Sequence, residues 1–134
     1  MNQRRFFIHE KFDPYYFRYK LSKAFSKKTA HDPNKWDSNI PSTGHCYVVS
    51  ELISVIFDSS EFYVTKNHDN THWFYKIDEE FFDFTSDQYG GDGIKPLKFD
   101  FNNKQKQNIL PQDSSRSDLF KKRFSKVSSF SFQN

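Results

Sequence analysis

Three residues in this sequence have the chemistry of an activated nucleophile: Cys46, His72 and Asp83. Cys46 is the single cysteine, and it follows "STGH" (42–45) at the head of an apolar run, "CYVVSELISVIF" (46–57). In that run Val49, Leu52, Ile53, Ile56 and Phe57 recur at helical spacing. A cysteine that opens a helix faces unpaired N–H groups and the positive end of the dipole. Such a place favours the thiolate, which is the nucleophilic form. The other use of such a residue is as an inert thiol packed like a small hydrophobe.

A base and an acid follow on strand-like segments. "THWFYKI" (71–77) and "EFFDFT" (80–85) read as a hairpin around Asp78–Glu79. That turn lacks Gly or Asn, so its geometry is left open. If Ile77 opposes Glu80, alternation places His72, Phe74, Lys76, Phe81, Asp83 and Thr85 on one face. Trp73, Tyr75, Ile77, Phe82 and Phe84 form an apolar face on the other side. His72 and Asp83 become diagonal neighbours, with Cβ atoms about 7–8 Å apart or less. A base oriented by an acid is what an activated nucleophile needs. The alternative is a polar pair on a half-exposed sheet.

The elements that must position these groups are legible in outline. "DPYYFRYKLSKAFSK" (13–27) predicts a helix capped by Asp13 with Pro14 at its first position, its Phe17, Leu21 and Phe25 on one face. Residues 28–44 hold two prolines and read as loop. Ser42 or Thr43 is expected to cap the cysteine helix. "EFYVTK" (61–66) alternates as a strand, and a further short strand is expected near 97–101. Residues 102–115 read as a polar connection. "SSRSDLFKKRFSKV" (114–127) predicts a terminal helix with Leu119, Phe120 and Phe124 inward, and "SSFSFQN" a loose tail. The fold class is α+β, a single domain over 1–134 with its ordered core at 12–127 and loose ends.

Composition narrows the function classes. Hydrophobic residues are only 35% of the 134, but aromatics are 19%, so large rings can build the core. The net charge of +3 and pI of about 8.9 are only mildly basic, which argues against a sequence-specific nucleic-acid reader. Lys and Arg gather in "RRFFIHEKF", "RYKLSKAFSKK" and "RSDLFKKRFSK", as solvated helix faces or as a contact for an acidic host protein. No apolar run reaches 18 residues, so no membrane span is expected. The first residues lack the apolar core of a signal peptide. One cysteine makes no internal disulfide, which suits a reducing, cytoplasmic setting. His31, His45, His68 and His72 lack metal-ligand spacing, so no metal or other cofactor is expected.

A cysteine on a helix, then a histidine on a strand, then an acid on the next strand is the order of papain-like and transglutaminase-like enzymes. The motifs also resemble the YunG family of small bacterial proteins. There a Trp, a Pro and Gly-Gln-Cys lead into an apolar helix, followed by a His-aromatic strand and Asp-x-Thr-x-x-Gln-aromatic. The matching positions here are Trp36, Pro41, Gly44-His45-Cys46, His72-Trp73, and Asp83 through Thr85 to Gln88-Tyr89, spanning about 28–90, with a weaker echo in "RSDLFKKR". The resemblance implies a papain-like fold and a Cys46–His72–Asp83 triad, and it implies no substrate. His45 stands where the family's usual Gln would be, and "DSSE" replaces a Gly-Gly stretch after the helix.

Other polar residues belong to the candidate site. His45, Gln88 and Trp36 are candidate substrate-binding residues. His45 is also an alternative base, although adjacent helical residues point about 100° apart, which favours His72. Gln88 and Thr85 either line the cleft or hold the hairpin end. Trp36 covers the cleft or pins the cysteine loop, and Trp73 points to the core. The expected activity is that of a cysteine hydrolase or acyl transferase on an amide or ester of a protein or small molecule. The alternative is a binding protein on the same fold without turnover, such as a phage or mobile-element inhibitor of a host protein.

Overall fold

A computed structural model describes residues 3–66, 68, 70–110 and 114–130. Two short strands, β1 (Phe7–Ile8) and β2 (Lys11–Phe12), pair as a hairpin. Helix α1 (Pro14–Ser22) follows, with the Asp13 carboxylate accepting from the N–H groups of Tyr15 and Tyr16. Pro14 needs no such partner, which is why the pair starts a helix here. The helix ends earlier than its apolar spacing suggested. Phe25 is nonetheless buried, just before a turn of 3-10 helix at Lys27–Thr29.

Helix α2 (Cys46–Ile56) buries Val49, Leu52, Ile53 and Ile56, as its periodicity required. It packs against the antiparallel sheet β5-β4-β3-β6, formed by β3 (Glu61–Thr65), β4 (His72–Ile77), β5 (Glu80–Phe82) and β6 (Gln105–Lys106). The β4–β5 register pairs Ile77 with Glu80, as expected from a two-residue turn. Asp78 and Glu79 both take positive φ, 55° and 70°. This is the twist a two-residue hairpin demands even of side chains that do not favour it. Tyr75, Ile77, Phe82 and Phe84 enter the core from that hairpin, with Trp73 packed at its edge.

The expected strand near 97–101 is helix α3 (Lys98–Asn102). In this helix Asp100 is the buried side chain, and the rings of Phe99 and Phe101 are exposed. The connection expected over 102–115 contributes β6, and its residues 111–113 lie outside the described residues. Helix α4 (Ser115–Ser128) buries Phe120 and Phe124, while Leu119 is only half-buried.

The ends near the core are not loose. Phe6 and Phe130 are buried, and their rings stack 5.9 Å apart. Residues 1–2 and 131–134 lie outside the described residues. The basic helices also spend charge internally. Arg18 pairs with Asp87 at 2.7 Å, and Arg123 donates to the carbonyl oxygen of Ala24 at 2.8 Å. Among the described residues no helix is long and apolar enough to cross a membrane.

Candidate active site

The thiol of Cys46 stands half-buried at the first turn of α2. His45 is the capping position, and its own N–H donates to Ser42 O at 3.0 Å. The helical ladder begins with Val49 N–H donating to His45 O, also at 3.0 Å. The N–H groups of Cys46, Tyr47 and Val48 therefore have no acceptor one turn back within the helix. The expected cap by Ser42 or Thr43 is absent. The Ser42 hydroxyl donates to Asp87 at 2.5 Å and the Thr43 hydroxyl to Ile40 O at 2.6 Å. Both are consumed in shaping the loop before the helix.

His72 opens β4, and Asp83 follows the end of β5. Their side chains meet in a hydrogen bond of 2.6 Å between His72 Nε2 and Asp83 Oδ2, both fully buried. The second carboxylate oxygen of Asp83 accepts from the Thr85 N–H (3.1 Å) and the Thr85 hydroxyl (3.2 Å). His72 Nδ1 is buried with no hydrogen-bond partner among the described residues. Cys46 Sγ lies 3.9 Å from the carbonyl oxygen of Thr71, the residue before His72. Burial on its own pushes the His72 imidazole down. The charge of Asp83, the hydrogen bond to it and the neighbouring Cys46 outweigh burial and raise the pKa to about 10.

Gln88 connects the acid to the cysteine loop. Its Nε2 donates to Thr85 Oγ1 at 3.1 Å, and its Oε1 accepts from the Gly44 N–H at 3.1 Å. Gly44 has φ +75°, and a Cβ there would lie 3.1 Å from the backbone nitrogen of His31. The loop therefore needs glycine at this point. The spacing Asp-x-Thr-x-x-Gln thus reads as a relay from carboxylate to loop. Gln88 also faces a cleft of about 760 Å³ that opens beside Cys46.

Trp36 and His45 do not line that cleft. Trp36 pins the loop, its indole N–H donating to Pro41 O at 3.0 Å. His45 is wholly buried beside the rings of Phe25 and Phe120, which corrects the expectation that it binds substrate. Its Nδ1–H donates to Thr43 O at 2.9 Å, and its Nε2 accepts from the Thr29 hydroxyl at 2.7 Å. Burial, opposed in part by the Thr43 contact, lowers its pKa to about 4. A neutral imidazole with one donor and one acceptor replaces an amide side chain here as an internal strut.

This strut predicts a pH dependence of stability. An unfolded histidine binds its proton near pH 6.5, the folded His45 only near 4. The unfolded state then holds more protons between those values, so stability is complete above about pH 6.5 and falls as pH falls. The loss between pH 7 and pH 5 should be about 2 kcal/mol. Urea melts of wild type and His45→Gln over this range test it. The variant should lose this acid-side fall in stability, leaving the opposite contribution of His72, and an unchanged slope would assign the effect elsewhere.

Several cleft residues were not anticipated from spacing. Tyr47 and Trp73 meet edge to face with centroids 5.5 Å apart, and Arg116 reaches in from α4. Trp73 therefore serves both core and cleft, and its position beside His72 was the available signal. His68 stacks on Tyr89 at 3.7 Å and bonds to the buried Asp100 at 2.8 Å. Donor atoms of His72, Asp83 and Asp100 lie within 4.8 Å of one another, a convergence invisible in the histidine spacing. Both carboxylates are already hydrogen-bonded to imidazoles.

Comparison with curated proteins and with solved structures gave no match. A family model described as YunG protein matches residues 14–129, which contain α1, the Cys46 loop, the His72–Asp83 pair and α4. This chain therefore belongs to the YunG family.

Proposed function

We propose that this chain is a papain-like cysteine hydrolase or acyl transferase of the cytoplasm, with Cys46 as nucleophile, His72 as base and acid, and Asp83 as the residue that orients His72. The observation that carries this reading is the buried His72–Asp83 bond, which uses Nε2 and leaves Nδ1 as the nitrogen for the thiol. A cysteine-bearing helix packed on the sheet that holds His72, with Asp83 just past β5, supports the papain-like assignment. A lone thiol suits a reducing compartment.

In the proposed reaction the Cys46 thiolate attacks the carbonyl carbon of an amide or ester, and a C–S bond forms. The carbonyl oxygen takes the charge and is held by N–H groups of the uncapped first turn of α2. Collapse re-forms the carbonyl and breaks the C–N or C–O bond. The His72 imidazolium gives its proton to the departing amine or alkoxide. Water, or an acceptor amine or alcohol, then loses a proton to His72 and attacks the thioester. That step releases the product and restores the thiolate–imidazolium pair.

Acyl p-nitrophenyl esters test this reading. One equivalent of nitrophenolate should appear in a burst, with the acyl mass on the Cys46 peptide. Cys46→Ala should give neither. Labelling confined to other residues, or a burst that persists in Cys46→Ala, would remove the catalytic reading and favour the binding protein.

A further inference from the structure

We propose that the cleft beside Cys46 selects a substrate carrying a carboxylate near its scissile bond, and that Arg116 is the residue that selects it. This deepens the cysteine reading above, and it rests on that reading for the identity of the reacting bond. Arg116 lies in the first turn of α4, yet its side chain lines the same cleft as Cys46. Its guanidinium is half-buried and, among the described residues, makes one hydrogen bond, from Nη1 to the Thr29 carbonyl oxygen at 3.2 Å. A guanidinium has five N–H donors in a planar fork, so most of its capacity remains unspent. Among the described residues no carboxylate lies within ion-pair distance of it.

A cation drawn partly out of water without a counter-ion is costly to keep. Arg18 shows the contrast, because its guanidinium is paired with Asp87 at 2.7 Å. Burial lowers the Arg116 pKa, and the charges of Cys46, Glu51 and Tyr47 partly restore it, which places the guanidinium within electrostatic reach of the nucleophile.

Lys35 also lines the cleft, and among the described residues the one acid on its wall, Asp32, accepts the Asn34 N–H at 3.0 Å. A planar fork beside the reacting sulfur matches a carboxylate in two parallel hydrogen bonds. The apolar pair Tyr47–Trp73 offers a surface for the remainder of the substrate.

Arg116 could also favour the thiolate itself, so the test must separate the two effects. Iodoacetate and iodoacetamide attack the same thiolate and differ in the charge next to the reacting carbon. Their rate ratio therefore cancels any effect on ionisation. In the wild-type protein the iodoacetate-to-iodoacetamide ratio should exceed that of a cysteine peptide by about tenfold. Arg116→Gln should lower it several-fold toward the peptide value, and Arg116→Lys should keep part of the preference. A ratio equal in wild type and Arg116→Gln would overturn the proposal.

A second measurement does not need a reactive thiol. In the Cys46→Ala protein, glutarate should saturably shift the Trp73 indole N–H signal in NMR spectra, and glutaramide should not. The double variant with Arg116→Gln should lose the response. If neither reagent alkylates Cys46 but glutarate binds through Arg116, the cysteine reading fails while the anion site stands. If glutarate and glutaramide behave alike, the anion site fails whatever the thiol does.

Discussion

Iodoacetamide at pH 6 should alkylate Cys46 about 10–100-fold faster than a cysteine in an unstructured peptide. At that pH a free thiol is only about 0.3% ionised, so reagent meets almost no thiolate. The folded site brings two positive influences to the sulfur. Cys46 sits in the uncapped first turn of α2, where N–H groups point outward. The imidazole beside it keeps its proton up to about pH 10. His72→Ala should remove most of the advantage. The structure changes the expectation for Asp83→Asn. An acid acting only through the histidine would be the lesser loss, but here its charge is the main influence that overcomes burial of His72. Without it the buried ring should stay neutral, and the rate should fall nearly as far as in His72→Ala. Thr85 and Tyr75 would still hold the surroundings of position 83 in shape. A thiol that reacts only after denaturation would sink the catalytic assignment.

The same histidine has a signature in stability. Its folded pKa is raised from 6.5 to about 10. Its contribution is therefore complete below about pH 6.5 and is lost as pH rises through about 10. This is the opposite limb from His45, whose effect is lost on the acid side. The two buried histidines thus bound the stable range from its two ends.

How much of this was legible depends on whether local pattern and tertiary demand agreed. For α2 and the β4–β5 hairpin they did. Helical spacing placed Leu52 and Ile53 inward, and a two-residue turn fixed the register that brings His72 near Asp83. At α3 they conflicted. A short strand was expected near 97–101, yet the segment is helical and its buried side chain is Asp100, to which His68 bonds. A pattern of apolar and polar positions carries no information about such a partner. His45 was misread for a related reason. A polar residue next to a nucleophile looks like a ligand until the rings of Phe25 and Phe120 close over it. Arg116 lies on an element whose charges read as a solvated face, and only the packing of α4 beside the cysteine loop brings it to the cleft.

Phe6→Ala should be among the most damaging single changes in the chain, costing about 3–5 kcal/mol. Its neighbours in sequence, Arg5 and Phe7, give no periodic signal, and the segment read as a loose end. In the fold its ring is fully buried and meets Phe17 edge to face at 4.9 Å, with Phe57, Phe124 and Phe130 all within 6.3 Å. These rings come from the N-terminal segment, α1, the end of α2, α4 and the C-terminal segment. Removing Phe6 therefore leaves a cavity that no one element can close, because the four rings around it belong to four different segments. Leu52→Ala, on the better-read helix, should cost about 2–5 kcal/mol by the same reasoning. Against a total of about 5–15 kcal/mol for a domain, either change is severe. A thermal melt should show Phe6→Ala lower than wild type by about 10–20 °C. A shift of only a degree or two would mean that the first residues do not complete the aromatic core. The same shift in a chain lacking residues 1–12 would separate loss of the ring from loss of the β1–β2 hairpin that delivers it. The truncated chain should melt no higher than Phe6→Ala, since the hairpin also supplies Phe12, whose ring lies 5.2 Å from Phe57 and 5.3 Å from Phe82.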